Sequence, residues 1–183
     1  MNFASKTNGG HGAGGINTNK NGLSYENLTD LNNCYTIIES NKYSDTIMFN
    51  QNNTIFIRSE KANFKKYLSD KIDNNVKELH GTKQPDEVYI NETEKLIFII
   101  EKKFQQVSGS KCECLQTAEK KKRNYQRRIP GYKIVYLYCL SDWFKTNCMA
   151  EIEDLEEDNI PVFWGNSSSY KKDIIEFMLK YKI

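Results

Sequence analysis

Histidine is scarce in these 183 residues, long apolar runs are absent, and no C-x-x-C pair occurs. The two histidines, His11 and His80, lie far from the cysteines in sequence, so neither a Cys/His nucleophilic pair nor a zinc site of ordinary ligand spacing is expected. No stretch is long and apolar enough to span a bilayer, and no apolar segment resembling a secretory signal opens the chain. With an odd count of five cysteines (Cys34, Cys112, Cys114, Cys139 and Cys148), this favours a reduced protein of the cytoplasm with no membrane partner. Net charge is only +2, so there is no overall basicity to announce nucleic acid. Any affinity for DNA must come from clustered lysine and arginine. Gly10, Gly12 and Gly15 have dinucleotide-fingerprint spacing, but no strand precedes them. No Gly-Lys-Ser/Thr follows, which excludes a phosphate loop as well.

What is present suits one domain with a core of its own. Residues 1–21 are rich in Gly and Asn and read as an N-terminal loop segment; residues 22–183 carry the fold. The centre of the chain is the stretch QPDEVYINETEKLIFIIEKKFQQ, residues 84–106. Its apolar run, Leu96 to Ile100, is short, β-branched and aromatic, which predicts a buried strand. Asn91, Glu92, Thr93 and Glu94 form a turn, so residues 88–90 and 96–104 pair as an antiparallel hairpin. Side chains alternate along a strand, so Glu101 and Lys103 leave the core on the same side. Asp86 and Glu101 together can hold a hard divalent cation such as Mg²⁺, and a nearby lysine can orient or activate water. The plainer reading is that Pro-Asp marks a turn and Glu-Lys-Lys ends a strand in water.

Around this stretch, the spacing of Leu23, Leu28, Leu31 and Tyr35 predicts a first helix over residues 22–40, with Glu26 near its start. A hairpin follows, with strands at residues 45–49 and 54–58, and then a helix over residues 64–79. A further helix is expected over residues 113–128. On it Gln116, Lys120, Arg123 and Arg127 fall in one arc, while Leu115, Ala118 and Tyr125 face the sheet. Lysine and arginine in line can neutralise successive phosphates, although such a face is commonly just solvated. Residues 133–140 (KIVYLYCL) read as a strand parallel to the one bearing Glu101, reached through that basic helix by a right-handed crossover. An acidic helix (150–158), a short strand (160–164) and a C-terminal helix (170–181) complete an α/β domain whose central mixed sheet is flanked by helices.

Proline followed by an acid, and later an acid-x-lysine triplet ending an apolar strand, resembles the PD-(D/E)xK nuclease superfamily. The phrase running from Gly14 to Glu26, the Glu101 to Tyr125 stretch and Asp142-Trp143-Phe144-Lys145 are similar to type II restriction endonucleases of that superfamily. One departure is Cys114, which stands where the Glu-Lys-Leu-Gln-Thr phrase of those enzymes has lysine. The resemblance implies a restriction-endonuclease-like fold and Mg²⁺-dependent hydrolysis of double-stranded DNA at a specific site. Asp86 and Glu101 would bind metal, Lys103 would position water or stabilise charge, and Glu26 would support them. Glu26 can equally be a first-turn glutamate favoured by the helix dipole. Lys120, Arg123 and Arg127, with Gln116, would grip DNA. Gln105 and Gln106 could bond base edges, or simply be polar strand ends in solvent. A homodimer matched to the symmetry of duplex DNA and a cognate DNA methyltransferase are the implied partners. A repair or junction-resolving nuclease of the same superfamily, or a DNA-binding module that does not cut, remain alternatives.

Overall fold

The computed structural model describes residues 16–71, 84–106 and 112–182. Seven strands lie side by side in sequence order: β1 (Tyr35–Ser40), β2 (Asp45–Phe49), β3 (Ile55–Ser59), β4 (Glu87–Asn91), β5 (Leu96–Lys103), β6 (Lys133–Leu140) and β7 (Val162–Trp164). β1 to β5 form an antiparallel meander, whereas β5, β6 and β7 run parallel. Among the described residues six helices accompany them: α1 (Ile16–Leu28), α2 (Lys61–Lys71), α3 (Ala118–Arg128), α4 (Trp143–Asn147), α5 (Met149–Glu157) and α6 (Tyr170–Lys180).

The alternation of side chains along β4, β5 and β6 divides the core in two. Val88, Ile90, Ile97, Ile99, Ile134, Tyr136 and Tyr138 point to a layer made by α2, α3, α4 and α5. Tyr89, Leu96, Phe98, Ile100, Val135, Leu137 and Cys139 point the other way, to α1 and α6. β5 and β6 are thus covered on both faces, which is why their sequences run apolar almost without interruption. The architecture is a mixed sheet between two helical layers, and the expected hairpin and parallel crossover are both present.

The amino-terminal part corrects the sequence reading. The first helix does not cover residues 22–40; it begins at Ile16, inside the expected loop segment, and stops at Leu28. Thr29 ends it by turning its hydroxyl back onto the Tyr25 carbonyl at 2.7 Å, and Asp30 then accepts the Asn32 amide at 3.1 Å. The β-branched run Thr36, Ile37, Ile38 forms β1 instead. Leu23 and Leu28 do not make an apolar stripe; both are exposed, and Tyr25 and Leu31 do the packing. α3 also starts later than expected, after a 3₁₀ turn at Cys112–Cys114, so Gln116 precedes it. α2 buries Phe64, Tyr67 and Leu68 as expected, whereas the remaining expected helix positions Ile72, Val76 and Leu79 lie outside the described residues.

Cysteine chemistry is a second correction. Cys112 and Cys148 are joined as a disulfide with their Cα atoms 5.6 Å apart, where reduced thiols were expected. Their separation of 36 residues carries no pairing signal, because only the docking of the 3₁₀ turn against the α4–α5 junction brings them together. Glu151 lies beside the two sulfurs, but sulfurs bonded to each other are not thiolate ligands. Among the described residues no helix is long and apolar enough to cross a membrane.

Candidate active site

The local pairing of β4 with β5 builds the site. Glu87 stands opposite Ile100, so one step further along the antiparallel ladder Asp86 faces Glu101. The Lys102 amide, at the end of that ladder, donates to Asp86 Oδ2 at 2.7 Å and holds the carboxylate in place. On the other side of Asp86, the Pro85 carbonyl accepts the Lys61 amide at 2.8 Å. Lys61 adopts a left-handed backbone (φ 46°) at the start of α2, a conformation uncommon for a side chain of this kind. Backbone strain on this scale concentrates where the surrounding structure requires it.

Lys103 is the centre of the cluster. Its ammonium lies 2.8 Å from Glu101 Oε1 and 3.9 Å from Asp86 Oδ2, and it donates to the Lys102 carbonyl at 3.0 Å. Three oxygens from one strand and its neighbour therefore converge on one positive charge. A second ammonium, Lys121 of α3, reaches the same Glu101 oxygen at 3.4 Å. With two carboxylates and two ammonium groups, the cluster is close to neutral as it stands.

Environment separates the two acids. Burial pushes the Asp86 carboxyl up, the Lys103 charge opposes this, and the neighbouring Glu101 charge reinforces it; the net direction is up. Burial acts the same way on Glu101, but the charges of Lys103 and Lys121 and their hydrogen bonds outweigh it and hold Glu101 below the usual glutamate range. For Lys103 burial works against the proton, yet Glu101 and Asp86 keep it more firmly protonated than an ordinary lysine. Tyr125, Tyr136 and Tyr138 surround Glu101, and burial first, then its negative charge, pushes all three phenols up.

Glu26 sits elsewhere along the same edge. Its carboxylate pairs with Lys61 at 3.1 Å and not with Lys103, and it shares with Asp86 a polar cavity of about 240 Å³. The opposite face of the hairpin holds a pair that the sequence reading missed. Lys102, inverted relative to Lys103, forms a 3.1 Å ion pair with Glu87, both almost fully buried, and also donates to the Glu26 carbonyl at 3.0 Å. Period-two alternation contains this signal: whatever puts Asp86, Glu101 and Lys103 on one face puts Glu87 and Lys102 on the other.

Of the expected DNA-contacting residues, Lys120, Arg123 and Arg127 lie exposed on α3, Arg123 pairing with Glu119 at 2.6 Å. Gln116 reaches toward Glu151 at 3.4 Å. Lys121 was missed, although it sits three residues after the buried Ala118 and four before the buried Tyr125, the helical spacing of an inward face. Gln105 and Gln106 lie just past the end of β5, after Phe104, and border a cavity of about 380 Å³ with Phe104, Ser141, Asp142, Trp143 and Asn166.

The donor set suits a hard divalent cation. Two carboxylates and a backbone carbonyl converge where Lys103 now places its ammonium, and oxygen donors of this kind are what Mg²⁺ takes. Comparison with family models, with curated proteins and with solved structures found no match for this chain.

Proposed function

We propose that this chain is a Mg²⁺-dependent, site-specific deoxyribonuclease of restriction-endonuclease-like fold, acting on double-stranded DNA. The observation that carries the reading is the meeting of Asp86, Glu101, the Lys102 carbonyl and Lys103 at the end of one central strand. Asp86 and Glu101 would hold the metal, with the Lys102 carbonyl as a third oxygen. Bound there, Mg²⁺ would polarise a phosphoryl oxygen and lower the pKa of its water. Lys103, beside both carboxylates, would position the water or stabilise charge developing on the phosphoryl oxygens. Lys121 steadies Glu101 in its ionised form. Near-neutrality without metal means that a bound divalent cation makes the site positive, which favours a phosphodiester over a neutral substrate.

Lys120, Arg123 and Arg127 on the exposed face of α3 would meet phosphates, and two copies of the chain would cut the two strands. A methyltransferase of matching specificity would protect host DNA. The test is incubation of the protein with unmethylated phage DNA and Mg²⁺ beside Glu101→Ala and Lys103→Ala. Discrete fragments from the wild type and intact DNA with either variant are expected; fragments that persist in both variants would refute the assignment of the site.

A further inference from the structure

Beyond the catalytic cluster, the carboxyl ends of β5, β6 and β7 enclose a groove with a different chemistry. Two adjoining cavities, about 380 Å³ and 250 Å³, share Phe104, Gln106 and Asn166. The second continues along α1 past Asn21 and Ser24. Among the described residues neither is lined by lysine or arginine. Among the described lining residues the charged one, Asp142, is paired with Lys145 at 2.7 Å. The rest of the described lining is mainly amide and aromatic, with Ser24, Ser141 and Leu28 beside them.

We propose that this groove reads base pairs, with Gln106 and Asn166 as the side chains that contact the edge of a purine in the major groove; the proposal rests on the nuclease reading above. Position supports it. Gln106 follows Lys103 by three residues, just past the end of β5. A duplex whose phosphate lies at Lys103 passes this same end of the sheet, where Gln106 and Asn166 border the groove. Chemistry supports it too, because a primary amide carries donor and acceptor together and matches the N6 and N7 of adenine.

The groove is also held rigid. Ser141 Oγ accepts the Gln105 amide at 3.0 Å and donates to the Gln105 carbonyl at 3.0 Å, clamping the backbone beside Gln106. Asn166 Oδ1 accepts the Asp142 amide at 3.0 Å, which occupies its acceptor and leaves its NH₂ as the donor. A donor in that place matches purine N7, an acceptor common to adenine and guanine. Reading groups are useful only when held in this way.

The experiment is cleavage, with Mg²⁺, of a duplex library randomised over a window of positions, followed by sequencing of the cut ends. It is run with the wild type, Gln106→Ala, Asn166→Ala and Asn166→Asp, each checked by circular dichroism. Wild type should give a consensus that contains a purine. The alanine variants should lose about 10- to 100-fold of the discrimination at one or two of its positions. Asn166→Asp, which exchanges a donor for an acceptor, should shift preference at the same position toward a base presenting an amino group. An unchanged consensus in all three variants would overturn the groove proposal while leaving the nuclease reading intact. So would a folded variant that cuts no sequence at all, since that would tie the residue to chemistry and not to reading. Failure of the wild type to cut any library member would instead remove the nuclease reading, and this proposal with it.

Discussion

Asp86 and Glu101 face each other across one ladder yet are pushed in opposite directions, because two ammonium groups crowd Glu101 and burial dominates Asp86. The pH dependence of stability follows. A carboxyl raised by folding stays protonated in the native chain while the unfolded chain already ionises, so native stability falls as pH climbs from the ordinary aspartate range toward the raised value. Asp86→Asn removes that loss. In metal-free buffer the variant should gain on the wild type as pH rises through this window and then hold a constant lead, measured by urea midpoints at a series of pH values. A lead that does not change with pH would mean that Asp86 titrates as an ordinary aspartate. The buried pair behind it behaves differently. Lys102→Ala leaves Glu87 as an uncompensated buried charge and should cost about 3–5 kcal/mol in urea unfolding. A double replacement by apolar residues of similar size should cost much less, since it removes the charge that would otherwise be stranded.

At the level of elements, α1 is set by one glycine. A Cβ on Gly165, just past β7, would lie 2.1 Å from Tyr25 Oη and 2.6 Å from Thr29 Cγ2. Neither neighbour is the free end of a flexible chain, because Tyr25 is packed into the core and Thr29 is fully buried. Gly165→Ala should therefore destabilise the fold by about 1–3 kcal/mol by thermal or urea unfolding, as overpacking does. It should also lower cleavage, because α1 carries Glu26 and one wall of the amide groove. Wild-type stability in the variant would show that α1 shifts freely. The strands of the central hairpin could be read directly from the sequence, since period-two alternation and a four-residue turn are local signals. α1 and β1 could not, because leucines at helical spacing imitate a stripe when nothing in the sequence says which of them the sheet will cover.

For the whole molecule, a net charge of +2 leaves DNA affinity to local clusters. If Lys120 and Arg127 neutralise phosphates, replacing each by alanine should weaken binding to all duplexes alike. Each should also reduce the slope of log affinity against log salt by about 1, measured by fluorescence anisotropy with Ca²⁺ in place of Mg²⁺. An unchanged slope would return the exposed face of α3 to plain solvation.

The sequence alone determined the joint placement of Asp86, Glu101 and Lys103. Proline before the acid, a short turn and strict alternation fix that geometry within some twenty residues, whatever the rest of the chain does. It also determined the parallel crossover, because a strand, a helix and a strand with buried faces have few ways to pack. Tertiary structure decided everything that depends on distant segments meeting. It brought Lys121 of α3 to Glu101 as the second cation, joined Cys112 to Cys148, and assembled one amide-lined groove from three strand ends and a helix. Such contacts are set by packing between elements far apart in sequence: periodicity can turn Lys121 inward, but it does not name the group that Lys121 meets.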